Sequence, residues 1–521
     1  MCSVEEDIQL EAQLKPQSGR RLLVEGKCHK CKIEPPVVDT KGVHYCRNCF
    51  IESVLYRFRI NIMKSSKGPD GMKVLIAFSG GPSSRLVIEG FKRFHTLDSE
   101  NSRKKRKFSE IVICHVDQSS VFGKVVDAKE AGIENLVKSS GFTYIRVPIE
   151  NVFAGPDGVD PGFLAASGAD ANDANAHRMN MAYIANSNLT PAERLRQCFN
   201  SLGKLTAKED MLQTLTMKAV LDTARAHGCS LAALGDNATR LAVKVVSLTS
   251  KGNGFSLPLE MAVASKWHKD ITVIKPLRDV LAKEVVLFNK YENLDYAVVR
   301  DFTTGMPAKA SIDRLTEAFV IGLQNDFPMT VPTVVRTGEK VSSEYLLEDT
   351  TVCPLCQGPV QYASKDWRAN HTVAVIPTSE PSSTAELPNA FAKMNVGSSP
   401  HANDCTQSSC CASCPETSGG CCSSKQPNSS VIDISQHICY ACQNLCQDAK
   451  DAAVAATQKR LPRNGAQQNG DSPAETKANA DLRLILPPYV AHEVTKRVGR
   501  DWMRDQIADF LVVDDGADET E

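Results

Sequence analysis

The chain has 521 residues, a formal net charge of -1 and 42% hydrophobic residues. That length accommodates several domains, and the near-zero charge excludes a global positive field steering the whole chain to nucleic acid, so any RNA contact must come from local patches. No run approaches the roughly 18–20 consecutive apolar residues of a membrane span, and the acidic start MCSVEEDIQLEAQLKPQ has no apolar stretch of the signal-peptide kind. A cytosolic or nuclear setting follows. There, nineteen cysteines point to thiolate–metal coordination rather than to disulfides.

In chain order, residues 1–20 read as a flexible lead-in and 21–66 as a cysteine-rich, zinc-ribbon-like module. Cys28-His-Lys-Cys31 and Cys46-Arg-Asn-Cys49 are separated by fourteen residues. Two such pairs clamp a tetrahedral ion, and four thiolates close its coordination shell, which makes the site structural. His29 and His44 improve on neither spacing. Lys27, Lys30, Lys32, Lys41, Arg47, Arg57 and Arg59 crowd the same module and give the density that phosphate contacts need.

From 67 to 347 the pattern is α/β. Apolar runs at Val74–Phe78, Ile111–Ile113 and Tyr144–Val147, with helical stretches between them, predict buried parallel strands. Strands at Leu231–Leu234 and Ile271–Ile274 bring the count to five, with helices expected at 204–228 and Ala282–Tyr291. The helix after the first strand places Leu86, Val87, Gly90, Phe91 and Phe94 on one side and Arg85, Glu89 and Lys92 opposite. The basic run Arg103–Lys107 reads as a solvated loop, an RNA contact or an import-like tract. A Gly-, Ala-, Asn- and Asp-rich insertion spans about 154–190.

The first strand ends in Ser79-Gly80-Gly81-Pro82-Ser83-Ser84. A glycine turn leading into a helix N-terminus offers backbone donors to a phosphate. The same turn also suits strand–helix packing. The second strand ends at His115-Val116-Asp117 and the fourth at Gly235-Asp236-Asn237, on the carboxyl edge where such sheets bind ligands.

Residues 348–513 form a second cysteine region in which Cys353-Pro-Leu-Cys356 pairs with Cys439-Tyr-Ala-Cys442 across a long insertion. Cys446, one helical turn past Cys442, is a spare ligand. Tracts at about 370–430 and 450–478 have the composition of disordered inserts, and the cysteines from Cys405 to Cys422 read as linker residues, with a labile metal cluster as the alternative. A final helix carries Met503, Ile507, Phe510 and Leu511 on one face, and 514–521 is an acidic tail.

SGGPSS and GDNATRLA resemble the phosphate-loop motifs of the PP-loop ATP pyrophosphatases, whose fold is the doubly wound, mostly parallel α/β sheet of adenine nucleotide alpha hydrolase type. Taken with CHKC/CRNC, LGDNATRLAVKVVSLTSKGNG, IKPLRDVLAKEV and CPLC/CYAC, the chain is similar to the cytoplasmic tRNA 2-thiolation protein 2 family from about Cys28 to Phe510, loops aside. The resemblance implies a cytoplasmic heterodimer with catalytic tRNA 2-thiolation protein 1. Such a pair places sulfur from a thiocarboxylated ubiquitin-related carrier on the wobble uridine of tRNA Lys, Glu and Gln. The chain departs from the catalytic pattern at Ser83, where an acid is expected, at Thr239 and Arg240, where paired acids are expected, and at Cys198, which stands alone where a C-x-x-C is expected. These departures imply a non-catalytic subunit with ATP handled by the partner, while the two cysteine quartets are read as structural zinc sites, an iron–sulfur cluster being the other occupant that four thiolates serve. Ser79, Gly80, Gly81, Ser83 and Ser84 are the residues of a degenerate nucleotide loop. An active ATP-dependent tRNA sulfurtransferase and a zinc-ribbon interaction scaffold are the alternative readings.

Overall fold

The computed structural model describes residues 26–40, 42–65, 71–100, 107–122, 132–154, 189–297, 301–341, 350–361, 434, 437–460, 484–494 and 496–497. The lead-in, Lys41, residues 103–106 of the basic run, most of the 154–190 insertion, the 370–430 tract with Cys405–Cys422, the last helix and the acidic tail lie outside them.

A hairpin of β1 (Val38–Thr40) and β2 (Val43–Tyr45) is followed directly by α1 (Arg47–Ser65). Then come β3 (Met72–Ala77), α2 (Pro82–Glu100), β4 (Phe108–Asp117), α3 (Ser119–Phe122), α4 (Ile133–Lys138) and β5 (Thr143–Pro148). The second half runs α5 (Pro191–Ser201), α6 (Leu205–Ala226), β6 (Leu231–Ala233), α7 (Ala238–Ser250), α8 (Leu257–Met261), β7 (Ala264–His268), β8 (Ile271–Ile274), α9 (Ala282–Tyr291), α10 (Ile312–Asp326) and α11 (Thr330–Glu339). Helix α12 (Tyr440–Arg460) follows near the C-terminal cysteines. It extends into the tract expected to lack structure, because Asp-Ala-Ala-Val-Ala-Ala is rich in alanine, the best helix former.

The main sheet has the order β5-β4-β3-β6-β8-β7 and is parallel except for β7, which pairs antiparallel with β8. The chain therefore builds outward from β3 to β5, then returns to the other side of β3 as β6. The strand order reverses between β3 and β6, and the loops after these two strands diverge there, which makes their carboxyl ends the place for a ligand in such a sheet. The sequence reading lacks β7, whose Ser-Lys-Trp-His text is too polar to read as a buried strand. As an edge strand it has no need to be one.

Strand alternation divides the core into two layers. Val74, Ile76, Ile111 and Ile113 face one layer with Phe50 and Phe58 of α1, Phe91 of α2 and Phe288 of α9. Leu75, Val112 and Cys114 face the other with Leu195 of α5, Leu212 and Leu215 of α6 and Leu445 of α12. Arg85, expected on a polar side of α2, is instead buried. Helices α1 and α9 cover α2, so its outer side is closed too.

Candidate functional site

The N-terminal quartet is built from two turns. Cys28 and Cys31 precede β1, where Lys32 takes a left-handed conformation (φ 57°) to complete the knuckle, and Cys46 and Cys49 stand at the start of α1. The His29 N–H donates to the His44 carbonyl at 2.9 Å, which joins the turns. All four Sγ atoms lie within 4.8 Å of one another, with Cys31 and Cys46 at 3.9 Å. A tetrahedron with metal–sulfur bonds of about 2.3 Å has edges of about 3.8 Å, so the quartet fits one ion. Burial alone would raise the Cys28 thiol, but backbone N–H groups of Cys31, Cys46 and Lys30 outweigh it and hold it at about 6.

Helix α1 fixes this module to the α/β layer through a fork. Arg57 donates from Nη1 and Nη2 to the two carboxylate oxygens of Glu284, each at 2.9 Å, and from Nη1 to the Asp279 carbonyl at 2.8 Å. Glu284 also accepts from the Leu281 N–H at 2.7 Å, at the entry to α9. Arg47 donates to the Tyr291 carbonyl, and Lys30 pairs with Glu52 at 2.7 Å. Three of the basic residues singled out by sequence therefore have intramolecular partners. Lys27, Lys32 and Arg59 are exposed, and among the described residues their side chains have no ion-pair or hydrogen-bond partner. Arg59 shares the outer side of α1 with Tyr56 and Met63, both more than half exposed.

At the switch point, Gly80 adopts φ +86°, a conformation that side chains disfavour, and Pro82 opens α2. The Ser84 hydroxyl donates to the Gly81 carbonyl at 2.9 Å, and the Asn289 amide donates to the Pro82 carbonyl at 2.9 Å. The Ser83 hydroxyl accepts from the Asn237 amide at 3.0 Å, tying the loop after β3 to the loop after β6. Asn237 also caps α7 by accepting from the Arg240 N–H at 2.9 Å, and the buried Thr239 hydroxyl accepts from the Ala282 N–H at 3.1 Å. Asp117 is bound by the Ser119 N–H at 2.9 Å and by Arg146 Nε at 3.1 Å. Ser83 and Thr239, standing where catalytic acids are expected, thus serve as local fasteners, and Arg240 lines the adjoining cavity.

Beside the loop lies a cavity of ≈ 280 Å³. Its lining includes Ser79, Ser84 and Asp236 from the switch-point loops, Trp267 and His268 of β7, and Cys356, Cys439 and Cys442. Sequence reasoning missed the charged network on its wall. Lys244 Nζ donates to Asp236 at 3.0 Å and to Glu260 at 3.2 Å, and Lys275 lies 3.8 Å from Glu260. Burial alone would raise Asp236, yet Lys244 and Lys275 hold it far below the usual carboxylate range, and Lys244 is itself raised. Such charges stay buried because they are paired.

The C-terminal quartet unites Cys353 and Cys356 with Cys439 and Cys442, all Sγ atoms again within 4.8 Å and Cys356 to Cys439 at 3.6 Å. The Gly358 N–H points at Cys356 Sγ at 3.4 Å and the Cys439 N–H at Cys353 Sγ at 3.5 Å. Trp267 Nε1 donates to the Gln357 carbonyl at 2.6 Å, seating the first knuckle on β7. The Tyr489 hydroxyl donates to the Leu355 carbonyl at 2.8 Å from the other side. Cys446 is buried in the core beyond the quartet, and Cys198 and Cys229 are buried thiols, Cys198 pushed up to about 12 by burial.

The family model for cytoplasmic tRNA 2-thiolation protein 2 matches residues 311–444. The Danio rerio cytoplasmic tRNA 2-thiolation protein 2 is 28% identical, covering 99% of this chain and 100% of that protein. The Rattus norvegicus protein of the same name is 31% identical over 66% of this chain and 70% of its own length. Among solved structures, the U34-tRNA thiolase NcsA from Methanococcus maripaludis with its [4Fe-4S] cluster aligns with a TM-score of 0.42 and 18% identity, covering 63% of this chain and 95% of that one.

Proposed function

The chain belongs to the cytoplasmic tRNA 2-thiolation protein 2 family, and so to the cytoplasmic tRNA 2-thiolation system; on that premise we propose that it is a non-catalytic subunit there. Its partner is the catalytic tRNA 2-thiolation protein 1, with which it forms a heterodimer. The pair takes sulfur from a thiocarboxylated ubiquitin-related modifier and installs it on the wobble uridine of tRNA Lys, Glu and Gln, completing 5-methoxycarbonylmethyl-2-thiouridine. ATP is bound and spent by the partner.

The observation that carries this reading is the occupation of the switch point by the chain's own side chains. Ser83 is held by Asn237, Asp236 by Lys244, and Thr239 by the entry to α9. A working adenylation site needs a free carboxylate for the metal that accompanies ATP, and Asp236 is already committed. Ser79, Gly80, Gly81, Ser83 and Ser84 then serve as a packing turn. The lone, buried Cys198 supports the same view, since a sulfur carrier must meet its substrate.

Both quartets hold structural zinc in this reading. Sulfur–sulfur separations of 3.9 and 3.6 Å suit a single ion rather than a multi-iron cluster, whose irons stand between the thiolates. Transfer RNA meets the outer side of the N-terminal module, where Lys27, Lys32 and Arg59 supply charge and Tyr56 an aromatic face.

The test is wobble thiolation in vitro with ATP and a sulfur donor, by this chain alone, by the thiolase subunit alone and by both together. Activity should require the thiolase subunit and should survive Ser83→Ala and Cys198→Ala in this chain. Thiolation by this chain alone would make the glycine loop a working site and end the proposal. Metal analysis should return two zinc ions per chain and no iron.

A further inference from the structure

Helix α6 forms a wall of the cavity through Gln213, Thr214 and Met217, yet its N-terminus has no cap of its own. Its N-cap residue, Lys204, provides no side-chain acceptor. Helix N-termini leave backbone N–H groups without partners and favour a negative charge. Here a carboxylate arrives from far along the chain. Asp448 Oδ2 accepts from the Gly203 N–H at 2.9 Å and from the Lys204 N–H at 3.0 Å, and Lys204 Nζ lies 3.5 Å from Asp448 Oδ1. Asp448 is buried and sits on α12.

The position of α12 is set at its first turn. The helix begins immediately after Cys439 and carries Cys442 in that turn, so two ligands of the C-terminal quartet belong to its start. Two glycines receive it. The Tyr440 ring packs against Gly252, where a Cβ would come within 2.3 Å of it, and Ala452 meets Gly203, where a Cβ would come within 3.0 Å. Neither approach tolerates a side chain on the receiving residue without movement. A shift of the start of α12 by an ångström therefore displaces Asp448 from both N–H groups. The opposite half of the quartet, Cys353 and Cys356, is fixed to β7 through Trp267 and belongs to a segment more than eighty residues away, with Cys356 and Cys439 83 residues apart.

We propose that the metal at the C-terminal quartet is the latch that sets the α5–α6 elbow, with Asp448 as the positioning residue that carries the constraint from the metal knuckle to the wall of the cavity. Metal bound by Cys353, Cys356, Cys439 and Cys442 fixes the start of α12 against β7. The helix, being rigid, then delivers Asp448 to Gly203 and Lys204. Loss of the metal frees the elbow and the cavity changes shape. The N-terminal quartet has no part in this linkage.

Amide hydrogen exchange on the full chain, read at Gly203 and Lys204, tests it. Asp448→Ala should speed exchange there by at least about tenfold, as the loss of hydrogen bonds to a charged group implies, with metal content unchanged. Asp448→Asn, which keeps an acceptor oxygen, should give a smaller rise. Cys353→Ser should raise exchange at the same amides as much as Asp448→Ala does, and the two changes together should add less than about twofold. Cys28→Ser should leave these amides untouched. Should Cys353→Ser fail to fold, chelator added to the purified wild type reads the same amides over time, and they should exchange before those of β3 and β4. Unchanged protection on metal loss, additive effects, an equal response to Cys28→Ser, or exchange only together with β3 and β4 would each overturn the proposal. The inference rests on the metal reading above, and metal analysis of the same samples separates the two. A metal-free, folded wild type ends that reading, whereas bound metal with unmoved amides ends this one.

Discussion

The two cysteine quartets have the same ligands in nearly the same geometry but sit in very different surroundings. The N-terminal one closes over a short span of chain, keeps a small core of its own around Cys28, Cys46 and Cys49, and reaches the rest of the protein through α1 and the Arg57–Glu284 fork. The C-terminal one joins distant segments and lies inside the principal core, with Cys353, Cys439 and Cys442 in the same cluster as Leu75, Val112 and Leu215. A local quartet organises a module that the fold then attaches. A non-local quartet is part of the fold, and its removal should be felt across the sheet.

The largest expected effect tests that contrast directly. Cys353→Ser should lower the main calorimetric transition by at least about 10 °C, given the ≈ 10–16 kcal/mol that zinc contributes in small metal domains and the roughly 2–4 °C per kcal/mol of domains of 150–250 residues. Cys28→Ser should shift the same transition by less than about 4 °C on that scale, melting the ribbon alone. Equal losses would break the comparison. Next, Arg57→Ala should cost about 3–5 kcal/mol in urea unfolding, because it leaves the buried Glu284 carboxylate uncompensated. Much of that should return when Glu284→Gln is added, which would sharpen the picture of the ribbon as an attached module.

Smaller effects separate the outer surfaces. Replacing Lys27, Lys32 and Arg59 together by alanine should reduce the salt slope of tRNA binding by about two to three, roughly one per phosphate contact. Fold and metal content should be unchanged, as judged by circular dichroism and metal analysis. The smallest effect concerns Glu209 on α6. Burial, with Asp313 and Asp301 adding to it and the Ser311 and Thr303 hydroxyls opposing, lifts its carboxyl to about 7 from 4.5. A carboxyl raised in the folded state contributes stability that is complete below about pH 4.5 and declines as the pH rises through about 7. Glu209→Gln should flatten the wild type's melting temperature over that window. An unaltered slope would show that the N-terminal turn of α6 is more open to water than its contacts indicate.

What could be read from the sequence follows a physical rule. Runs such as Val74–Phe78 and Ile271–Ile274 announce buried strands because continuous burial leaves a local signature, and two pairs of closely spaced cysteines announce a quartet even across a long insertion. The fork of Arg57 on Glu284 and the reach of Asp448 to Gly203 join residues more than two hundred positions apart, and the network of Lys244 with Asp236 and Glu260, though closer in sequence, follows no helix or strand spacing, so none of them leaves a period to detect. A lysine or arginine looks the same in text whether it is pinned, like Arg57, or exposed with no partner among the described residues, like Arg59. Helix α12 exposes a different weakness, since alanine-rich text suits both a linker and a helix, and only the partner surface on α6 decides.

The span between the C-terminal knuckles also has a temporal meaning. A ribosome adding 5–20 residues per second needs about 4–17 s to travel the 83 residues from Cys356 to Cys439. The N-terminal quartet closes over a span synthesised in a few seconds at most. Throughout the longer interval the nascent chain carries β3 to β8 complete but lacks α12, so the apolar surface of α5 and α6 that α12 covers stays open. Metal supply and chaperone access during those seconds, more than the stability of the finished protein, would then govern how much of it reaches the folded pool.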